Sequence, residues 1–521
     1  MTQPISAWIL GNQLLSEHHA FLTAEESTAK EDIRVLLVES QHLLKHRPSH
    51  PSKLILLLSA MRHYAAALEN AGYRVDYRQA PSFLIGIQGH LKSHNPSRLL
   101  SMAASDYAGR RFQETTLPEK TSLPIDILPN RQFLTGRYNP YPQPDPGKQY
   151  IMEYFYRDLR KHFQVLVDGE GEPTGGEWNY DQKNRESLPS DIHIPPPLTF
   201  SPDEITQEVI AQLSPLIDPP AEEIGFALAV THHQAEKALE DFIKHRLAEF
   251  GPYEDAMTSR SMVIFHSHLS PYLNIGLLTP LQVIRAVETA YKRGEVPIHS
   301  AEGFIRQVLG WREFMYWQYW RGMPELKEGN HWYARHRLPD FFWNGETKLN
   351  CLREALGRAL SNGYNHHIER LMLLSNFCTL AGIHPPEVLD WFMATYIDAY
   401  PWVMVPNVIG MGLHADGGVI GTKPYISSAN YIQKMSDYCQ NCGYDHNVRT
   451  GEGACPFNFL YWNFLLSHQD RLRANPRMSL SLSNLRHLNA QERKAVQKQA
   501  DHFIKQITEA TNTNHEMEKN T

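Results

Sequence analysis

The strongest constraint on this chain is a change of period part-way along it. Over residues 1–135, short apolar runs alternate with helical patterns. From about 226 to 505 the pattern is helical, with no strand-period segment of length. AWIL at 7–10 and RVLLVES at 34–40 predict buried parallel strands, because continuous apolar runs suit strands covered on both faces. LILLLSAMRHYAAALENAG at 54–72 predicts a helix stopped by Gly72. YRVDY, RLLSMAA and PIDILP supply further strands. Strands alternating with helices predict a doubly wound parallel sheet. Ligands of such sheets sit beyond the carboxyl ends of strands. That singles out the turn Gly11-Asn12-Gln13 after the first strand and Glu39 near the end of the second. No GxGxxG follows a strand, so the dinucleotide fingerprint is absent.

Residues 136–225 are expected to connect this α/β domain to the helical one. RYNPYPQPDPG and LPSDIHIPPPLTFSPDE are proline-rich, and GEGEPTGGEWNYDQKNR is a glycine-rich loop. Trp178, Asn179, Tyr180 and Asp181, with Arg185, are rich in rings and hydrogen-bonding groups for a linker. A ligand lid is one expectation for them. Residues 226–508 predict an all-α domain, and the polar stretch 509–521 a disordered tail.

A length of 521 residues exceeds one compact core. The net charge of −7 means that the whole-molecule field does not attract nucleic acid. DNA binding would need a local basic surface. The stretch 470–499, with seven Lys or Arg against two acids, is one candidate, and a solvated helical face is the alternative. No run of about 18 apolar residues occurs, so no membrane span is expected. MTQPISAWIL has neither a basic start nor a long apolar core, so no secretory leader is expected. Five cysteines, an odd number in a chain that needs no disulfide staple, point to a reducing cytoplasm.

Within the helical half, GYNHHIERLMLLSNFCTL at 363–380 carries the sharpest chemistry. Met372, Leu373, Leu374, Phe377, Leu380 and Ala381 make an apolar body on nearly every side. That predicts a buried helix, since a surface helix shows one stripe. His366 and His367 stand at its mouth, with Arg370 one turn on. Such groups face water or need partners, because unpaired buried charge is expensive. Cys439-Gln-Asn-Cys442, Cys455 before Pro456, and the distant Cys351 form a second constellation. The spacing suits a metal site or a redox pair, and zinc and iron–sulfur clusters both accept four thiolates. Cys378, inside the apolar helix, is expected to be core. Ten tryptophans and 24 tyrosines build a large core and also suit a flat cofactor or electron hopping.

HSHLSPYLNIGLLTP, GWREF, YNHHIERLM and YIDAYPW occur in that order. With them the chain resembles the photolyase and cryptochrome superfamily over nearly its whole length. The resemblance implies an α/β antenna domain, a connector and a helical domain holding flavin adenine dinucleotide (FAD). The four cysteines together with GEWNYDQKNR narrow it to the iron–sulfur bacterial cryptochromes and photolyases. Repair-active members of that branch act on (6-4) pyrimidine photoproducts.

The resemblance implies roles for matching residues. His266, Ser267, His268, Leu269 and Ser270 match the stretch that holds the flavin's phosphates and ribityl chain. Gln307, Trp311 and Arg312 match the second flavin-binding stretch, and Arg370 and Asp398 a buried pair beside the isoalloxazine ring. The superfamily usually has Asn facing flavin N5; here that position is Met404, and Asn407 is the nearby substitute. His367 matches the proton donor to the lesion, with His366, Tyr425 and Met411 lining the lesion pocket. A second histidine four residues beyond is replaced by Leu371. Asp255 resembles a site linked to Mg²⁺. Trp391, Tyr431 and Trp343 would carry electrons toward the surface, and Phe392 cannot serve as a relay. Gly11, Glu39, Asp181 and Arg185 would contact a 6,7-dimethyl-8-ribityllumazine antenna, and Cys351, Cys439, Cys442 and Cys455 would bind a [4Fe–4S] cluster.

The resemblance thus implies a cytoplasmic, monomeric, light-driven enzyme. It would flip a (6-4) lesion out of UV-damaged DNA and repair it by electron transfer from excited reduced FAD. Two other readings stay open from sequence: a blue-light receptor with little repair, and an iron–sulfur DNA-processing protein without photochemistry.

Overall fold

The computed structural model describes residues 4–46, 48–121, 123–217 and 221–518. Five parallel strands form one sheet in the order β3-β2-β1-β4-β5. They are β1 Ile5–Ile9, β2 Ile33–Ser40, β3 Arg74–Ala80, β4 Arg98–Met102 and β5 Ile125–Leu128. Side chains alternate in direction along a strand. Trp8, Leu36, Val38 and Leu99 therefore pack on one face, and Ala7, Ile9, Val35, Leu37 and Leu100 on the other. Burial on both faces is why these runs are continuously apolar. β3 lies at an edge and is more exposed, as its polar YRVDYRQ composition requires.

Helix α1, Pro51–Asn70, covers the face that carries Ala7, Ile9, Val35, Leu37 and Leu100. The His50 ring caps its start by accepting from Ser52 N at 3.2 Å, and Gly72 at φ +94° ends it. Helix α2, Phe83–His94, covers the opposite face through Ile87. The sheet with helices on both sides is the architecture expected from sequence.

Residues 136–225 are less of a linker than their composition implies. They hold α3, Met152–Phe163, and α4, Glu204–Leu213. Phe155, Tyr156 and Leu159 bury one face of α3. Trp178 stacks under Arg157 and Arg160 at 5.4 and 4.9 Å, and its carbonyl accepts from Arg306 at 3.0 Å. The loop expected as a lid is thus fastened to the body, with Tyr180 N donating to Glu302 at 3.2 Å.

The helical half packs around α5 (residues 298–322), α6 Asn350–Asn362, α7 (367–380), α8 Pro385–Thr395, α9 (401–412) and α10 Pro456–Ser467. One apolar cluster joins the sheet to α3 and α5 as far as Trp317, and a second gathers residues from Tyr316 to Ile504. The last helix, α11 Ala490–Glu518, runs past residue 508, where a structureless tail was expected; residues 519–521 lie outside the described residues. Among the described residues no helix is long and apolar enough to cross a membrane.

His50 stitches the halves together. Its N–H donates to Ala394 O at 2.7 Å, and its Nε2 meets Leu360 O at 3.1 Å. Gly363, at φ +64°, turns the chain beneath it. A Cβ there would stand 2.6 Å from Ile397 Cγ2 and 3.0 Å from His50 Cγ, so only glycine fits.

Candidate functional site

A cavity of about 310 Å³ lies inside the helical half. Three of its walls come from π-helical segments: Arg306–Arg312 in α5, Glu369–Ser375 in α7 and Pro406–Gly412 in α9. A π turn inserts one residue and re-aims the side chains after it, which is why such turns gather at functional sites. Here they direct Gln307, then Arg370, Leu371 and Ser375, then Asn407, Val408 and Met411 toward one space. The turn before the short helix Ser270–Ile275 adds His266, Ser267 and His268, the last in a left-handed backbone at φ +55°.

Arg370 and Asp398 form a two-pronged ion pair at 2.9 and 3.2 Å. Ser270 Oγ donates to the same carboxylate at 2.6 Å. Burial alone would raise Asp398, but Arg370 and Ser270 hold it below the usual carboxylate range. Arg370 also packs on the Tyr396 ring at 3.9 Å and donates from Nε to Asn365 O at 2.8 Å. Ser270 is thereby occupied in locking the ion pair rather than left to a phosphate.

The histidines divide into buried and open. His266 and His366 stack at 4.2 Å, and both are fully enclosed. Burial, then the neighbouring His367, lowers His266 to about 3; burial lowers His268 to about 4 and drives His366 well below its ordinary value. These rings are neutral at physiological pH. Nδ1 of His266, Nε2 of His268 and both nitrogens of His366 have no protein partner. Unpartnered buried polar atoms are costly unless a ligand meets them. His367 is different: its side chain is 46% exposed, and its Nε2 lies 3.8 Å from Asp255 Oδ1.

A second constellation lies behind α7. Cys351 sits in the first turn of α6, Cys439 and Cys442 flank a tight turn, and Cys455 caps α10. Burial, then the other three thiols of the set, raises Cys351 well above its usual range; Cys439 is pushed up to about 11 and Cys455 to about 12. Cys378 is buried in α7, outside this group, as a core residue.

Three comparisons bear on identity. The deoxyribodipyrimidine photo-lyase-related protein family matches residues 7–219. A (6-4) photolyase of Agrobacterium fabrum is 37% identical over 506 residues, which is 96% of this chain and 99% of that protein. The chain belongs to the photolyase-related family. A bacterial class III photolyase from Agrobacterium tumefaciens superposes with a TM-score of 0.60 at 18% identity, covering 91% of this chain and 98% of that one. A Synechocystis cryptochrome superposes with a TM-score of 0.56 at 14% identity, over 85% and 90%. At those identities the likeness supports the photolyase–cryptochrome fold alone.

Photolyase-family membership implies a flavin, and the cavity fits one. Its unpartnered histidine nitrogens and charge-balanced Arg370–Asp398 pair suit a flat heteroaromatic ring with polar edges. Of the flavin contacts expected from sequence, His266, Ser267, His268, Ser270, Gln307, Arg370, Asp398 and Asn407 line it, as do His366, His367 and Met411. Three others do not. Leu269 is buried in the apolar cluster that holds the sheet, and Trp311 packs against that cluster. Arg312 pairs with Glu313 at 3.1 Å and lies over Phe133 and Trp402 at 4.4 and 4.9 Å, so its charge is already engaged elsewhere.

Asp181 and Arg185 pair with each other. They act electrostatically on Tyr425 together with Asp255, and Asp181 and Asp255 both act on the buried Glu254. Near the carboxyl end of β2, Glu39 already accepts from Arg62 at 3.0 and 3.3 Å and from Tyr77. Gly11 lets the turn approach α1, since a Cβ would meet Met61 Sδ at 2.6 Å.

Of the electron-route residues, Trp391 is fully buried and donates to Phe342 O at 2.8 Å; Trp343 follows directly and is 53% exposed. The ring neighbours of Trp391 are Phe342, Phe392 and Tyr396. Tyr431 instead shares the field of Asp255 and Arg185. Tyr396, which bridges Arg370 and Trp391, was missed from sequence although YIDAYPW contains it. Glu254, which accepts from Gln307 at 2.7 Å, was missed although it adjoins Asp255.

Proposed function

We propose that this photolyase repairs (6-4) pyrimidine photoproducts in DNA by light-driven electron transfer, and that the pairing of an open His367 with Asp255, beside an enclosed His366, carries that assignment. His266, Ser267, His268, Gln307, Arg370 and Asp398 would hold a reduced flavin, which when bound would supply the electron that light drives to the lesion. His367 is the proton donor and acceptor, because unlike the buried His266 and His366 it is exposed, and its Nε2 faces a carboxylate, Asp255. His366 stays neutral and offers a hydrogen-bonding nitrogen to the flipped base. Met411 lines the same cavity, and Tyr425, outside its lining, is proposed to meet the lesion as it enters. The net reaction is an isomerisation, with the transferred oxygen group returned to its base and the proton to His367.

The other parts of the reading rest on separate supports. A [4Fe–4S] cluster on Cys351, Cys439, Cys442 and Cys455 is supported by the other three thiols all acting on the buried Cys351. A Mg²⁺ ion near Asp255 is supported by the second carboxylate, Asp181, acting on the same Glu254. A lumazine antenna would use Gly11, Glu39, Asp181 and Arg185. A cytoplasmic monomer is the proposed setting, supported by five cysteines, none in a disulfide.

The DNA duplex has a basic track beside the cavity. A groove of about 540 Å³ is lined by Lys148, Arg321, Arg471 and Arg477 and continues through Thr422 and Pro424 toward Tyr425. Arg321 donates to the carbonyls of Asp145, Pro146 and Lys148; Arg471 bonds His331 O and Arg477 bonds Thr422. These partners are neutral, so the cations keep their charge for phosphate. Arg471 and Arg477 come from the basic stretch 470–499. Changing both to glutamine is expected to lower the slope of log affinity against log salt by about 0.9 for each phosphate that is no longer neutralised. An unchanged slope in a salt titration would remove the groove from the DNA path.

The central test is illumination of DNA carrying a defined (6-4) lesion or a cyclobutane dimer. Repair of the (6-4) lesion is expected. His367→Ala should abolish it while flavin photoreduction persists. Repair of the dimer alone would refute the substrate, and photoreduction without repair of either would favour the photoreceptor reading.

A further inference from the structure

The photochemical site leaves one cluster unexplained. Outside the cavity, the described residues bring one other set of three metal-ligating side chains within 4.8 Å: Asp76, His90 and His94. His90 and His94 stand four residues apart on α2, so they project from one face of that helix. Asp76 faces them from the edge strand β3. Its Oδ2 lies 2.7 Å from His90 Nδ1 and 3.1 Å from His94 Nε2.

We propose that Asp76, His90 and His94 form a binding site for a divalent late transition ion, zinc being the best match, that clasps the open edge of the sheet to the last turn of α2. Two imidazoles and one carboxylate are a borderline ligand set, suited to Zn²⁺ and its neighbours rather than to Mg²⁺ or Ca²⁺. Tetrahedral zinc with bonds of about 2.0–2.2 Å separates its ligand atoms by roughly 3.3–3.6 Å. The contacts observed need to open by less than about one ångström to accept it.

The surroundings support the same reading. His90 Nε2 meets Ser6 Oγ of β1 at 2.7 Å. A serine hydroxyl can accept as well as donate, so His90 can keep its proton on Nε2 and present a bare Nδ1 to the ion. Metal-bound histidines usually have such an outer partner. The side chain of His90 is fully buried, that of Asp76 is 15% exposed and that of His94 30%. The site is therefore walled on one side and open on the other, where water can complete the coordination.

One group works against the ion. Arg78 Nε donates to the same Asp76 oxygen at 2.7 Å, and Arg78 Nη2 reaches Ser93 at 3.1 Å. Gly89 makes room for it, since a Cβ there would stand 2.5 Å from Arg78 Nη1. Arg78 thus competes for the carboxylate and weakens binding without filling the site.

The test is equilibrium dialysis of the full-length holoprotein against Zn²⁺ at neutral pH. Metal per chain is read by mass spectrometry, and the flavin and iron–sulfur absorbance is followed in parallel. The wild type should hold one more zinc per chain than His94→Ala, whose affinity should fall at least about tenfold. Ser6→Ala should weaken binding by about tenfold through the outer contact. Arg78→Gln should tighten it. All these variants should keep their flavin and iron. Equal zinc in the wild type and His94→Ala would overturn the proposal, as would zinc uptake that displaces iron or flavin. No change in Arg78→Gln would overturn the competition.

Discussion

Replacing Asp398 by alanine is expected to cost about 3–5 kcal/mol of stability and to abolish flavin binding. The magnitude comes from what is left behind. Arg370 is largely enclosed, with its guanidinium between Tyr396 and the carboxylate, and Asp398 answers its charge through both oxygens. Removing the carboxylate strands a buried cation and also frees the Ser270 hydroxyl. Changing both members, Arg370→Met with Asp398→Leu, should restore most of the stability, because an apolar pair of similar volume carries no desolvation penalty. It should not restore the flavin, whose ring would lose its charged neighbour. Thermal unfolding and bound-flavin absorbance separate the two effects. If Asp398→Ala unfolds within about 1 kcal/mol of wild type, the pair is not the electrostatic anchor described here.

The second large effect is expected at Glu369, which no motif-based role covers. It is fully buried in α7 and accepts from three groups. These are Arg358 Nη1 at 2.9 Å, the Tyr438 hydroxyl at 2.5 Å and Asn365 Nδ2 at 2.8 Å. Asn365 O accepts from Arg370, and Tyr438 adjoins Cys439 and accepts from Asn350 next to Cys351. One carboxylate therefore links the cavity wall to the thiol set. Glu369→Ala should leave a buried guanidinium, a hydroxyl and an amide without their acceptor, again costing several kcal/mol, about 3–5 by analogy with broken buried pairs. Flavin and iron content should fall together. Loss of iron with full flavin retention would mean that the two sites are independent.

The residues of the site differ in how much they disclosed in advance. His366, His367, Arg370 and Asp398 were legible because their motifs stand in local sequence and their chemistry needs burial. Cys439, Cys442 and Cys455 stood out by spacing, the distant Cys351 joined them only through the resemblance, and Cys378 read as core by its apolar neighbours. Arg312 was misread: it follows Trp311 in a flavin-family motif, yet the π turn ahead of it and its bond to Glu313 send it to the seam with Phe133. The surface that Asp181 and Arg185 face was not legible, for a topological reason. A loop rich in glycine and proline carries no periodicity, so nothing in it says which surface it returns to.

What the sequence determined by itself is the class of each half. Apolar runs in β1, β2 and β4 require a sheet covered on both faces, and helical periodicity excludes one after residue 226. Those are local properties, set by side-chain burial along one element at a time. The tertiary structure alone decided which side chains share a space. Three π turns, far apart in the chain, converge on one cavity. Asp255 meets His367 from a distant stretch of chain, and Asp76 meets His90 and His94 across a strand and a helix. Such meetings depend on how elements pack, and no single element's periodicity encodes that.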